Sequence, residues 1–157
     1  MAQPKLSLGR IKASGKNCRV ELDLRKYNSR FPKAQRELDV AVMNSMLPFM
    51  PIDTGDFRRR TQERSTVMAG TGEVCAAAAP FGRYLYHGKV MVDSETEKGP
   101  FFIPNVGFRF RKGARLMPTG RPLTYSNPSA RPEWFEVAKQ KDLHEWEKTV
   151  ENTLKGE

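Results

Sequence analysis

The side chains able to do chemistry in this chain are few and widely spaced. Asp53-Thr54-Gly55 has the form of an aspartic-protease loop, in which two carboxylates share one proton. The chain holds one such triplet, so that chemistry would require a symmetric dimer. Its continuation, Asp56-Phe57-Arg58-Arg59-Arg60, is strongly charged where an active-site loop is apolar. Turn chemistry is the better reading. Asp bonds its own backbone two residues on, Gly permits positive φ, and Pro51 breaks the preceding helix. We therefore read Pro51, Asp53, Thr54 and Gly55 as a structural turn. His87 and His144 are far apart, and the acid we pair with His87 is Asp93, with no nucleophile nearby. An enzyme built on Asp53 and His87 would have no evident substrate, and His87 is expected to be structural. Cys18 and Cys75 lack both a disulfide framework and metal-ligand spacing. Cys18 reads as a small buried hydrophobe. No glycine-rich phosphate loop, His-Glu-x-x-His, paired Cys-x-x-Cys or Gly-x-Ser-x-Gly occurs. The expectation is a binding or structural role without catalysis, cofactor or metal.

Charge points the same way. The net charge of +9 over 157 residues is concentrated in two segments. Residues 1–20 carry Lys5, Arg10, Lys12, Lys16 and Arg19 and no acid; residues 101–131 carry Arg109, Arg111, Lys112, Arg115, Arg121 and Arg131 and no acid. Basic segments attract polyanions without reading sequence, and equally suit an acidic patch on a protein. Phe108-Arg109-Phe110-Arg111 interleaves aromatics and cations as nucleic-acid surfaces do, but it also has the pattern of an amphipathic edge strand. Arg109, Arg111, Lys112 and Arg115 are the candidate residues facing DNA or a partner. A small basic nucleic-acid-binding module is the alternative reading. No apolar run approaches a membrane span, and Met-Ala-Gln-Pro-Lys leads into no signal-like apolar region. Synthesis in the cytoplasm is the expectation.

These residues need elements to position them. Residues 1–16 read as an arm or irregular strand. Residues 17–24 alternate, with Cys18, Val20, Leu22 and Leu24 on one side, as a half-buried strand does. Residues 29–47 form a helix capped by Ser29, with Pro32 in its first turn and Pro48 and Pro51 at its end. Residues 58–68 and 73–79 read as strands joined by Gly70-Thr71-Gly72, and 81–88 as a short helix stopped by Gly88. Within 89–131, Lys89-Val90-Met91-Val92 and Phe101-Phe102-Ile103 read as short strands in an extended loop or a long hairpin. Residues 133–154 form a second long helix with the stripe Phe135, Ala138, Leu143, Trp146, Val150 and Leu154. Trp134 lies outside that stripe and is a candidate interface anchor. The expected fold is α+β: a single domain over 1–157 in which a small antiparallel sheet from 17–24, 58–68, 73–79 and later strands is packed by two long helices.

Three segments carry a resemblance. Phe49-Met50-Pro51-Ile52-Asp53-Thr54-Gly55-Asp56-Phe57-Arg58 is similar to the "Pro-x-Asp-Thr-Gly-x-Leu-Arg" signature of phage minor capsid and tail-completion proteins. Pro80-Phe81-Gly82-Arg83-Tyr84-Leu85-Tyr86-His87-Gly88 resembles their "Pro-Tyr-Ala-Arg-Tyr-x-Tyr-x-Gly" stretch. Pro122-Leu123-Thr124-Tyr125-Ser126 with Ala130-Arg131-Pro132-Glu133-Trp134-Phe135-Glu136-Val137-Ala138-Lys139 resembles their closing "Trp-Phe-Glu-x-Ala-Lys" helix. The three stand in the family's order; Phe81-Gly82 replaces Tyr-Ala, and Phe57 replaces Leu. The resemblance implies a structural virion protein of a long-tailed bacteriophage, not an enzyme. It implies a neck connector, stopper or tail terminator in a homo-oligomeric ring of six or twelve copies at the head–tail interface. The implied partners are other neck proteins, the portal or its adaptor and the tail tube, with non-specific DNA in the channel lumen.

Overall fold

The computed structural model describes residues 7–79, 82–104 and 107–156. Strands β1 (Arg10–Ser14) and β2 (Arg19–Asp23) form a hairpin, followed by α1 (Tyr27–Met46) and a 3-10 turn at Leu47–Phe49. Next come α2 (Asp56–Met68), α3 (Gly82–His87), β3 (Lys89–Asp93), β4 (Phe101–Ile103), β5 (Gly107–Arg109), β6 (Leu116–Pro122) and α4 (Trp134–Lys155). The fold is α+β with long helices and small antiparallel sheets, as expected. The arrangement differs. Among the described residues the strands form three separate pairs, β1–β2, β3–β6 and β4–β5, and the long helices pack mainly on each other.

The core lies between α1 and α4, where Val42, Met43, Met46, Ala138 and Trp146 are buried together with Met50 and Trp134. Polar bonds fix the helix pair along its length. The Trp146 indole donates to Ser45 Oγ at 3.0 Å. The Thr153 hydroxyl donates to the Glu37 carboxylate. Arg30 donates to the carbonyls of Leu154 (2.7 Å) and Lys155 (2.8 Å), which satisfies carbonyls that the end of α4 leaves open. Ser29 is no cap: it lies inside α1, and its hydroxyl donates to the Lys26 carbonyl.

Residues 58–68 are not a strand but most of α2. The helix buries Thr61 and Ser65 and half-buries Phe57 and Met68, a stripe at i, i+4 spacing built largely of hydroxyls. Its exposed side is tied by Arg59–Glu63 at 2.8 Å and by Arg59 and Arg60 to Asp56, each at 2.5 Å. Residues 73–79 pair with no strand among the described residues. Their backbone is bonded sideways instead: Cys75 N–H and C=O to Ser65 Oγ (both 3.1 Å), Ala78 N–H to Thr61 Oγ1 (3.2 Å), and the Ala76 carbonyl to the Trp134 indole (2.8 Å). Gly70 and Gly72 are not a hairpin turn. Their N–H groups donate to Asp39 at 2.7 and 3.1 Å, and Gln35 donates to the same carboxylate at 2.8 Å.

The segment 89–131 takes its hairpin alternative. β3 and β6 pair at the base, with an irregular register between Lys89 and Met91, and the β4–β5 pair is nested between them in sequence. α3 stops at Gly88 as expected. The start of the arm, residues 1–6, and Pro80 and Phe81 of the second resembling segment lie outside the described residues.

Candidate functional site

The three resembling segments are remote in sequence and meet around Trp134. That residue is fully buried, so it is a core residue and not an exposed interface anchor. Phe57, from the first segment, meets its ring edge-on at 5.9 Å between centroids; Tyr86, from the second, does so at 4.9 Å. Such edge-to-face pairs add about 0.5–1.5 kcal/mol each beyond the area they bury. Burial raises the pKa of the Tyr86 hydroxyl, with the nearby Glu136 and Glu133 charges adding to it.

Backbone clamps close the junction. Asn127 accepts from Ile52 N–H at 2.9 Å and donates to the Met50 carbonyl at 3.3 Å, and Ser126 donates to the Ile52 carbonyl. Arg131 N–H donates to Phe49 O at 3.0 Å, and Glu133 N–H to Tyr86 O at 2.7 Å. The Tyr125 hydroxyl donates to the Leu85 carbonyl at 2.6 Å, and burial raises its pKa. Gly82 is set by close approach. A Cβ there would lie 2.5 Å from the Ala77 carbonyl carbon and 2.7 Å from its oxygen.

Within this frame the Asp53 turn is a joint, but it joins helix to helix and not helix to sheet. Gly55, at φ +82°, is the residue before α2, in a conformation open to glycine at little cost. Thr54 Oγ1 accepts from Asp56 N–H at 3.4 Å. Pro51 is half-buried, and Asp53 and Thr54 are exposed. Arg58, the last residue of the segment, reaches back to the Met50 carbonyl at 3.0 Å, and desolvation lowers its pKa. His87 is not beside Asp93; its imidazole is 3.9 Å from Glu133.

The four basic candidates divide. Arg111 binds the buried carboxylate of Asp93 and the exposed one of Glu95. Its hydrogen bonds hold the Asp93 carboxyl below the usual carboxylate range, against the opposing effect of desolvation. Arg111 therefore fastens the turn after β3. Arg109, Lys112 and Arg115 are exposed on the same stretch. Among the described residues no cluster of three His, Cys, Asp or Glu could hold a metal ion, and no helix is long and apolar enough to cross a membrane.

A further surface went unread in the sequence. In the β1–β2 hairpin Ile11 stands opposite Leu22 and Ala13 opposite Val20, so these four share one face. The other face carries Arg10–Glu21 at 3.0 Å, Arg10–Asp23 at 3.2 Å and Lys12–Glu21 at 3.6 Å. All ten strand residues are exposed, Ile11 at 55 %, Val20 at 49 % and Leu22 at 50 %. The expected half-buried strand is thus an exposed one, and Cys18, in the connecting turn, is exposed instead of buried. The alternation at 18–24 did signal an apolar face, but nothing among the described residues buries it. No family model, no curated protein and no solved structure matches this chain.

Proposed function

We propose that this chain is a structural virion protein of a long-tailed bacteriophage, a subunit of a homo-oligomeric ring at the head–tail interface that joins the portal side to the tail. The observation that carries the reading is the convergence at Trp134. Each resembling segment supplies packing or backbone clamps to one junction, which accounts for their residue types without any reaction. The Asp53 turn contributes exposed side chains and a helix start, as a structural motif would. A ring subunit also needs unlike surfaces for heterologous contacts that close, and the chain projects an exposed hairpin and a nested hairpin from that body. Exposed Arg109, Lys112 and Arg115 suit the lumen of a DNA channel, where attraction is non-specific. Arg111, bound to Asp93 and Glu95, has a structural assignment instead.

The test is genetic and microscopic. An amber mutation in the gene is expected to leave filled heads and complete tails that do not join, and the wild-type protein is expected in purified virions as a ring at the neck. Its absence from virions overturns the reading. Reversing Arg109, Lys112 and Arg115 to Glu together, with Arg111 kept, is expected to impair head–tail joining; normal joining removes the lumen assignment alone.

A further inference from the structure

We infer that the apolar face of the β1–β2 hairpin seats on the outer face of α4 of a second copy of this chain. The proposal rests on the ring reading above for its biological setting, but its evidence is the two surfaces. A two-stranded hairpin is at best marginally stable alone in water. Here the apolar side chains Ile11, Ala13, Val20 and Leu22 are gathered on one face and left in solvent. Register is well specified only where one face becomes buried, so this face calls for a cover.

Charge selects the cover. Residues 7–24 carry Arg10, Lys12, Lys16 and Arg19 against Glu21 and Asp23, an excess of cations. One exposed apolar site, the groove at Val40 and Ala41 between α1 and α4, is rimmed by Lys33, Arg36 and Glu37, with Lys33 paired to Glu37 at 3.6 Å, so its rim carries a net positive charge that does not attract them. Face-to-face packing of two hairpins would oppose like charge as well. The outer face of α4 differs. Glu136, Gln140, Leu143, Glu147 and Glu151 recur at i+4, i+3, i+4, i+4 and are all exposed, with Leu143 at 43 % in the middle. The stripe holds three acids around one apolar residue, with Glu151 also paired to Lys155 at 3.5 Å, and is about 22 Å long at 1.5 Å per residue. A five-residue strand spans about 17 Å. Arg10 and Lys12 are paired within the hairpin, so Lys16 in its turn and Arg19 at the start of β2, both exposed long side chains, are the cations able to reach the acids round the edge of the contact.

Size sets the mode. The hairpin face covers roughly 17 by 10 Å, far below the about 800 Å² per partner of a stable complex. A single contact is weak. A hairpin on one side of each copy and a receiving helix on another make a head-to-tail contact that gains from repetition around a closed ring.

The experiment is disulfide trapping in a Cys18→Ser, Cys75→Ser background. Copies bearing Val20→Cys are mixed under mild oxidation with mass-tagged copies bearing Leu143→Cys. The expected product is the mixed disulfide, and a chain bearing both cysteines should give a ladder or a closed ring. Adding Glu147→Lys and Glu151→Lys to the Leu143→Cys copies should slow trapping about tenfold, with circular dichroism unchanged from the Cys18→Ser, Cys75→Ser parent because positions 143, 147 and 151 are exposed. Predominance of the Val20→Cys homodimer overturns the proposal, as does absence of any mixed disulfide while the untagged chain is oligomeric by native mass spectrometry. A chain that stays monomeric without trapping at high concentration overturns it too. Virions that assemble normal rings from Val20→Asp, Leu22→Asp protein would sink this contact but keep the ring reading. Trapping by a protein missing from virions would do the reverse.

Discussion

The junction at Trp134 and the β1–β2 hairpin solve opposite problems with different residue types. At the junction, hydroxyls, amides and an indole are turned inward to bind backbone: Thr61, Ser65 and Trp134 hold 75–78, and Asn127 holds 50–52. In the hairpin, charged groups bind each other across the strands and the apolar groups stay in solvent. One region is complete within a single chain and should govern its stability. The other spends its ion pairs, worth about 0–1 kcal/mol each at a surface, on holding a shape. The lesson is that burial of Thr61, Ser65 and the Trp134 indole marks the closed part of this molecule, and the joint exposure of Ile11, Val20 and Leu22 on one face marks the open part.

Trp134→Ala offers the hardest test of that contrast. It empties the junction and orphans the Ala76 carbonyl, and it should cost about 3–5 kcal/mol in chemical denaturation. Asp39→Ala comes next. It leaves the N–H groups of Gly70 and Gly72 without their acceptor and should cost about 2–3 kcal/mol, with faster hydrogen exchange at residues 69–73. Gly82→Ala forces a methyl against the Ala77 backbone and should cost about 1–3 kcal/mol. Val20→Asp with Leu22→Asp should change monomer stability by no more than about 0.5 kcal/mol. A large loss in that last variant would erase the distinction between the two regions.

Acid sharpens the comparison further. Asp93 is depressed in the folded chain, so the Arg111–Asp93 contact contributes its full stability above the unfolded carboxyl pKa of about 3.9. That contribution is lost as pH falls through the lower folded value. Hydrogen exchange at residues 93–98 and 111–116 should therefore accelerate selectively below about pH 4, and Arg111→Met should make those amides fast at neutral pH as well. Uniform acceleration across the chain would assign the effect to global unfolding.

Much of the fold was legible where apolar periodicity carried it. α1, α4, α3 with its Gly88 stop, and strands β2, β3 and β4 follow from spacing and punctuation. α2 did not, because its inward stripe is Thr61 and Ser65, which hydropathy reads as surface. The signal able to find it was charge: Asp56 with Arg60 and Arg59 with Glu63 stand at i, i+4. Residues 73–79 misled because a short apolar run suggests a ladder, whereas their partners are side chains from α2 and α4. Trp134 fell off the α4 stripe because its ring meets Phe57 of α2, Tyr86 of α3 and the Ala76 carbonyl, partners that the periodicity of α4 does not display. The role of Asp39 depends on two glycine amides about thirty residues away, which no local pattern displays.

Both indoles of this chain are interior, Trp134 fully and Trp146 nearly so. Intrinsic fluorescence will accordingly track unfolding and stay silent when copies meet. The thiol of Cys18, in the turn of the outlying hairpin, is the natural place for a reporter dye. A fluorophore there would brighten or quench on contact while the tryptophan emission held still, separating cohesion within a subunit from adhesion between subunits in one cuvette.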